Sequence, residues 1–419
     1  MLIQFSFKNY KSFRDETILD MSAAKMTEFS DRVVTIGNER ILPVAAIYGA
    51  NASGKSNIYS AFVFMSDYVA QSFKYGDEEE EFRFIMPTPF LLSDENEDAD
   101  TVFEVYFTLP DDASERVYNY GFCIGNSGIT EEWLNSRART ARKMSAIFYR
   151  DTDTLDLSGL PKSSRKNIEV ALDTKVLVVS LGAKLKDAKC KLVRDWFSCN
   201  EFADFGNPIT SLIMHNRLPK GFVDDPAVRS DVVRYLGSFD DSIKDFRVEK
   251  APFDGSEEKA DKYRVTAVHR KFNSDKTVEI PLEEESAGTL KMFALYQELQ
   301  DVLQKGGVYC IDELNARLHP LLVRNFILTF LNPEVNTRHA QLVFTTHDTW
   351  QLSNNLLRRD EIWFTEKDRQ GATKLYSLAD FIDEDGARIR KDESYEKNYL
   401  LGKYGAIPVL RHFDVYDEE

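Results

Sequence analysis

The sequence has few cysteines, and their spacing is not that of a metal site. Its 419 residues contain 4 cysteines, Cys123, Cys190, Cys199 and Cys310, and no two of them are separated by two residues. Structural zinc sites and small disulfide-bonded domains use more, or more closely spaced, cysteines. We therefore expect neither, and a reducing compartment fits the sequence.

Long apolar runs are also missing. No run approaches the roughly 18 residues needed to span a bilayer. The first segment is interrupted by Gln4, Lys8 and Lys11, whereas a secretory signal needs an uninterrupted apolar core. The sequence predicts a cytoplasmic protein with no membrane partner.

Positive charge is in deficit. The sequence has 53 Lys and Arg residues against 69 Asp and Glu residues, so its formal net charge is −16. Bulk charge thus argues against a protein that coats nucleic acid, although the basic run at residues 137–143 leaves contact with DNA open. Apolar residues make up 43% of the chain, which is enough for a packed core and excludes general disorder.

The strongest functional signal is a glycine-rich segment between a predicted buried strand, residues 44–48, and a predicted helix that begins near Lys55. It fits G-x-x-x-x-G-K-[ST], whose backbone N–H groups hold phosphates at a helix N-terminus. A chance match would lack this strand–loop–helix context. Lys55 would reach the β- and γ-phosphates, and Ser56 would ligate Mg²⁺. The predicted nucleotide-binding residues here are Gly49, Ala50, Asn51, Ala52, Ser53, Gly54, Lys55, Ser56 and Asn57.

A second signal is an apolar strand, residues 308–311, that ends in two carboxylates. This is the form of a Walker B segment, in which Asp312 would hold Mg²⁺. Glu313 would polarise the attacking water as the general base. Strands also end in acidic turn residues for structural reasons alone, so the catalytic interpretation depends on the glycine-rich segment.

A Ser-x-Gly segment precedes this strand and opens a predicted helix. Ser286, as an N-cap, and the Gly288 amide would present hydrogen-bond donors to an anion. A plain helix cap is the alternative. In ATP-binding-cassette enzymes a Ser-x-Gly segment lies here and contacts the γ-phosphate bound by the other subunit.

A histidine, His347, lies at the end of another apolar strand, residues 341–345. In this position it could hydrogen-bond the γ-phosphate and the attacking water, although a lone histidine is more often structural. The order of glycine-rich loop, Ser-x-Gly, Walker B and histidine fits an ATP-binding cassette. The predicted catalytic residues are therefore Glu313, His347 and Lys55.

These motifs resemble those of the ABC/SMC-type AAA family ATPases of bacterial anti-phage and abortive-infection loci, the RloA-like group. The chain is also similar to the ATPase half of the overcoming-lysogenization-defect nucleases. The resemblance implies ATP and Mg²⁺ as ligands, a homodimer or higher oligomer with composite sites, and a separate effector of the nuclease type. The matching segments are residues 5–13, 49–57, 284–289, 311–320, 344–347 and 399–408.

Two departures from this family pattern matter. No residue can be assigned to the glutamine loop. The segment after His347 is also too short for the metal-binding nuclease domain of the overcoming-lysogenization-defect proteins, so we interpret Asp380, Asp383, Glu384 and Asp385 as a surface loop. An SMC/RecF-like DNA-repair ATPase that acts directly on DNA is the alternative function, and a cassette that powers a membrane channel is a third.

The predicted fold class is α/β, a P-loop ABC/SMC-like ATPase head with an antiparallel β-section and a helical insertion. We assign residues 1–75 to the N-terminal part of the head and 76–162 to the β-section. Residues 163–246 form the predicted helical insertion, and 247–419 the C-terminal part of the head.

Overall fold

The structure, a computed structural model, describes residues 1–75, 86–109, 112, 114–207, 217–250, 263–383, 386 and 388–408. Glu384 and Asp385 of the predicted acidic loop lie outside these ranges. The helices are α1 (Lys55–Gln71), α2 (Asp94–Glu97), α3 (Lys162–Ala171), α4 (Val178–Lys184), α5 (Ala188–Ser198), α6 (Pro226–Leu236), α7 (Ala287–Lys305), α8 (Pro320–Leu331) and α9 (Tyr395–Leu400).

The strands follow the same numbering along the chain. They are β1 (Leu2–Lys8), β2 (Thr17–Asp20), β3 (Val34–Ile36), β4 (Glu39–Ile41), β5 (Val44–Gly49), β6 (Thr101–Thr108), β7 (Arg116–Gly125), β8 (Gly128–Ala138), β9 (Ser145–Arg150), β10 (Leu155–Asp156), β11 (Glu201–Asp204), β12 (Ile243–Lys250), β13 (Tyr263–Arg270), β14 (Thr277–Pro281), β15 (Val308–Asp312), β16 (Gln341–Thr345), β17 (Ile362–Lys367) and β18 (Thr373–Ser377).

A six-stranded sheet in the order β11-β15-β16-β5-β17-β18 forms the centre of the fold. Its strands are parallel except for the antiparallel pair β17 and β18. Every residue of β5, β15 and β16 is buried, because one hydrophobic core covers each face of the sheet. Along β5, Ala45 and Ile47 belong to one core, whereas Val44, Ala46 and Tyr48 belong to the other. This two-sided burial explains the continuous apolar runs in the sequence.

The parallel strands end at one edge of this sheet. Asp204 at the end of β11 is in register with Asp312 at the end of β15. The next strand, β16, ends at Thr345, which is in register with Ile47 of β5. Loops at the carboxyl ends of parallel strands are where α/β proteins bind ligands, so the topology brings the predicted motifs together.

A seven-stranded antiparallel sheet, in the order β10-β9-β8-β7-β6-β1-β2, packs against the core that contains α1. At its edge, β2 pairs antiparallel with β1, and Leu19 is in register with Phe5. This sheet includes β1 and β2 and so extends beyond residues 76–162. Likewise β11, inside the predicted helical range 163–246, is a strand of the central sheet. Alternation predicts a strand but does not identify its partner.

Within the described ranges, no helix combines the length and the hydropathy needed to cross a bilayer. The basic run at residues 137–143 begins in β8, where Arg137 forms an ion pair of 2.6 Å with Glu39. Part of its charge is therefore already paired within the chain.

A buried carboxylate joins the antiparallel sheet to the helices that cover it. Glu132 of β8 accepts hydrogen bonds from the backbone N–H groups of Val178 (2.7 Å) and Val179 (3.1 Å) at the start of α4. It also accepts one from the Tyr120 hydroxyl (3.0 Å) and forms an ion pair with Arg150 (3.2 Å). Burial raises the pKa of Glu132, and the charge of Arg150 opposes that rise.

Replacing this carboxylate should destabilise the protein strongly. We expect Glu132→Ala to lower the free energy of unfolding by about 3–5 kcal/mol, because it leaves a buried guanidinium and two backbone donors without their acceptor. Urea-induced unfolding would measure the change. Glu131→Ala, on the neighbouring residue that is only half-buried, should cost at most about 1 kcal/mol. Equal effects of the two substitutions would contradict the anchoring role of Glu132.

Candidate active site

The glycine-rich loop follows β5 and leads into α1. Gly49 (φ 155°) and Gly54 (φ 108°) have backbone conformations that favour glycine. A Cβ atom would lie 2.4 Å from Thr365 Oγ1 at the first position and 2.6 Å from Thr373 Oγ1 at the second. The Ser53 hydroxyl is 2.6 Å from Thr365 Oγ1, and Thr373 Oγ1 donates to the Ser53 carbonyl (2.9 Å). The loop is thus held in place by β17 and β18.

Lys55 is the first residue of α1, and only 4% of it is exposed. Its ammonium group donates hydrogen bonds to the carbonyls of Gly49 (2.9 Å) and Ala50 (3.0 Å). It also lies 3.5 Å from His347 Nδ1. Burial lowers the pKa of Lys55 to about 8, against the opposing charges of the carboxylates at residues 312 and 313. The group is therefore mainly protonated at neutral pH, as a phosphate-binding cation must be.

Asp312 ends β15 and is 3% exposed. Its carboxylate accepts a hydrogen bond of 2.6 Å from Thr345 Oγ1 and another from the Ser56 hydroxyl. Burial raises the pKa of Asp312, and these two hydrogen bonds oppose the rise. A buried carboxylate next to a hydroxyl is a hard-oxygen donor set that fits Mg²⁺. Ser56 and Asp312 thus lie next to each other, and their role as metal ligands stays a prediction.

Glu313 and His347 face each other across the ends of β15 and β16. Glu313 Oε1 is 2.9 Å from His347 Nε2, and the Glu313 N–H donates to Thr345 Oγ1 (2.9 Å). Glu313 has φ 54°, a conformation that a non-glycine residue adopts only when its surroundings impose it. The histidine is fixed through its backbone N–H, which donates to Asn315 Oδ1 (3.2 Å).

The pKa of Glu313 lies below its usual value. Burial alone would raise it, but the hydrogen bond with His347 and the positive charges of Lys55 and Lys291 outweigh burial. The carboxylate is therefore ionised at neutral pH. An ionised carboxylate can accept a proton from water, so the pair Glu313–His347 is suited to general-base chemistry.

These groups line one open cavity of about 860 Å³, a volume in the range of small-molecule sites. The carbonyls of Gly49 and Ala50 accept hydrogen bonds from the Lys55 ammonium group and so fix this lining residue in place. The lining residues predicted from sequence are Asn51, Ala52, Ser53, Gly54, Lys55, Ser56, Asn57, Asp312, Glu313 and His347. The lining residues that sequence reasoning missed are Asp204, Gly206, Asn207 and Lys367.

The missed segment follows β11, the strand next to the Walker B strand. Asp204 Oδ1 accepts a hydrogen bond of 2.9 Å from the Asn207 backbone N–H, which holds the turn at the cavity wall. The strand has four residues, of which only Phe202 and Ala203 are apolar. Such a short segment carries no readable periodicity, and only its register with β15 identifies Asp204 as a site residue.

The Ser-x-Gly segment lies apart from the cavity. Ser286 is the N-cap of α7, and its hydroxyl accepts a hydrogen bond of 3.1 Å from the Thr289 N–H. Within the described part of the chain, the cavity lining includes neither Ser286 nor Gly288. A Cβ atom on Gly288 would lie 3.4 Å from the Arg317 carbonyl, in the turn after the Walker B strand. One chain therefore assembles three of the four predicted motifs.

Comparisons with known proteins give one family match and several structural likenesses. The crystal structure of the SmcHead bound to the C-winged helix domain of ScpA is 14% identical, covering 90% of this chain and 97% of that chain, with a TM-score of 0.41. The recombination mediator protein RecF-ATP in the RecFOR pathway is 11% identical with the same coverage and a TM-score of 0.33. The comparison with curated proteins gives no match.

The family match covers all four predicted motifs and every cavity-lining residue except Lys367. A family profile described as "AAA domain, putative AbiEii toxin, Type IV TA system" matches residues 44–349, from the first residue of β5 to just beyond His347. The predicted fold class, α/β with a P-loop ATPase head and an antiparallel β-section, is confirmed. Assignment to the RloA-like group in particular stays a prediction. Because the profile spans most of the sequence, the chain belongs to the AAA-domain family that is named for AbiEii-type toxins of type IV toxin–antitoxin systems.

Proposed function

We propose that this protein hydrolyses ATP at composite sites formed by two copies of the chain. The observation that carries this proposal is the cluster of Lys55, Glu313 and His347 in the cavity, where Glu313 Oε1 is 2.9 Å from His347 Nε2. Phosphoryl transfer to water requires a cation at the phosphates and a group that orients or deprotonates the attacking water, and Lys55 and the Glu313–His347 pair can supply both.

Each residue of the site has a separate role in the proposed hydrolysis. The glycine-rich loop and Lys55 bind the β- and γ-phosphates of ATP, and the ammonium exchanges backbone carbonyls for phosphate oxygens. Ser56 and Asp312 would hold Mg²⁺, which neutralises charge on those oxygens. Glu313 takes a proton from water as the water oxygen bonds to the γ-phosphorus and the bond to the bridging oxygen breaks. His347 orients the Glu313 carboxylate and contacts the γ-phosphate.

The partner copy completes the site with its Ser-x-Gly segment. Ser286 and Gly288 lie at the N-terminus of the 19-residue helix α7, where backbone N–H groups attract an anion. They stand outside the cavity of their own chain, so we infer that they bind the γ-phosphate held by the other chain. A two-fold dimer then contains two equivalent sites.

Mixing two inactive variants tests the composite site. Lys55→Ala removes the phosphate-facing cation, and Ser286→Arg obstructs the γ-phosphate surface, so each should be inactive alone. A heterodimer carries both lesions in one site and none in the other. With random pairing about a quarter of all sites are intact, and phosphate release from an equimolar mixture should recover to about that fraction of the wild-type rate.

The control is a mixture of Lys55→Ala with the double variant Lys55→Ala/Ser286→Arg, in which every site lacks the lysine and no activity should return. If the first mixture also stays inactive, a second measurement decides between coupled sites and a wrong model. A thiol-reactive γ-phosphate ATP analogue should label Ser286→Cys on the chain opposite the nucleotide. Labelling only of the chain that holds the nucleotide would contradict the composite site.

We further propose that the ATP-bound dimer controls a separate effector, of the nuclease type, in anti-phage defence. The description of the matched family supports a role in a toxin–antitoxin system, and the separate nuclease-type effector rests on the resemblance of the motifs to those of the anti-phage ATPases. Affinity purification of an ATP-trapped variant from its host should recover a nuclease-type protein. Recovery of DNA without such a protein would favour a DNA-repair ATPase instead.

A further inference from the structure

A buried lysine joins the helix that begins at Ser286 to the turn that carries Glu313. Lys291 lies near the start of α7 and is 1% exposed. Its ammonium group donates hydrogen bonds to the carbonyls of Leu314 (2.7 Å), Ala316 (2.9 Å) and Glu313 (3.2 Å). An ammonium group has three N–H donors, and the carbonyls of this one turn accept a hydrogen bond from each of them.

The same ammonium group also contacts the segment that follows β11. It lies 3.9 Å from the centre of the Phe205 ring, a distance typical of a cation–π contact. Phe205 follows Asp204, and its backbone N–H donates to the Asp312 carbonyl (3.1 Å). Lys291 thus contacts both the segment that follows β11 and the turn that follows β15.

Burying this cation is energetically unfavourable. Burial lowers the pKa of Lys291 to about 7; the charge of Glu313 opposes that fall and the charge of Arg317 adds to it. A methionine of similar length would fill the same space without a desolvation cost. The polar link therefore provides what an apolar side chain would not, a directional connection between two backbone segments.

We propose that Lys291 is a positioning residue for ATP hydrolysis. It connects helix α7, which begins after the Ser-x-Gly residue Ser286, to the backbone of the general base Glu313. This inference rests on the proposed function. In a composite dimer, Ser286 of one chain contacts the nucleotide of the partner, whereas Glu313 of that chain serves its own nucleotide. Lys291 thus connects the two sites, and engagement of one γ-phosphate sets the position of the base at the other.

Lys291→Met removes the link and keeps the length of the side chain. We expect kcat for ATP hydrolysis to fall by about 10- to 100-fold, because a displacement of about 1 Å at the base has an effect of that size. KM and the affinity for a fluorescent ATP analogue should change less than about threefold, since Lys291 is not among the described residues that line the cavity. Lys291→Gln keeps two N–H donors and should lose less activity.

A matched control is Lys305→Met, at the other end of the same helix, where the lysine forms surface ion pairs with Asp301 (3.3 Å) and Glu201 (3.8 Å). This variant should keep the wild-type kcat. A role through Glu313 also predicts that Lys291→Met causes no further loss in a Glu313→Gln background.

Three outcomes would overturn the inference. They are a wild-type kcat in Lys291→Met, a further tenfold loss in the Glu313→Gln background, and loss of nucleotide binding in both Lys291 variants, which would make the lysine merely structural. The proposed function fails separately, if Glu313→Gln itself hydrolyses ATP at the wild-type rate.

Discussion

Lys55→Ala should abolish ATP hydrolysis and weaken nucleotide binding by about tenfold or more. The ammonium group is the cation inside the glycine-rich loop, and its hydrogen bonds to the carbonyls of Gly49 and Ala50 hold it where, under the proposed function, the β- and γ-phosphates would bind. Without it, the phosphates lose their charge partner and the loop loses a support. Phosphate release would measure hydrolysis, and titration with a fluorescent ATP analogue would measure binding.

A matched substitution removes one lysine from the surface. Lys166→Ala, on the exposed side of α3, changes the net charge equally and should leave both measurements unchanged. If Lys55→Ala hydrolysed ATP at the rate of this control, the assignment of the cavity as a nucleotide site would be wrong.

Glu313→Gln should separate binding from hydrolysis. The amide keeps the shape of the side chain but cannot accept a proton from water, so hydrolysis should fall by about 10²- to 10⁴-fold. Asp312, Ser56 and Lys55 are untouched, so ATP should still bind and persist. The trapped nucleotide should hold two chains together, and light scattering with and without ATP would detect the larger species.

A double variant tests whether this species depends on bound nucleotide. Lys55→Ala/Glu313→Gln should not form it at the same ATP concentration, because nucleotide binding is impaired. Glu334→Gln, at an exposed position after α8, serves as the control for loss of one carboxylate. Normal turnover by Glu313→Gln would remove Glu313 from the role of general base.

The parts of the fold that could be predicted from sequence are the strands that are buried on both faces. Strands β5, β15 and β16 are apolar at most positions because hydrophobic cores cover both faces, and such runs can be recognised in a single sequence. Strand β11 lies at the edge of the same sheet and has four residues, so nothing in its pattern separates it from the helices around it. Its place beside β15 depends on tertiary pairing alone.

The residues of the candidate site also divide into those that could be predicted from sequence and those that could not. Motif spacing predicts Lys55, Ser56, Asp312 and Glu313, since phosphate chemistry demands those residue types in that order. Asp204 and Lys291 could not be found in this way. Asp204 enters the site through strand register, and Lys291 occupies a position that on sequence alone is an ordinary charged residue of a helix. Only the direction of its side chain, into the turn after β15, gives it a role.

The strand order of the central sheet has a consequence for synthesis on the ribosome. The two neighbours of β5 are β16 and β17, so Val44 pairs with Leu342, and Ala46 pairs with Ile362. Contacts so distant in sequence form late, because the chain between them must first be made. A nascent chain that has emerged as far as residue 340 contains the whole glycine-rich segment. It still lacks β16 and β17, the two strands that pair with β5. The glycine-rich loop can therefore reach its folded arrangement only after β17 and β18 have been synthesised, because Thr365 and Thr373 of these strands hold Ser53 of the loop.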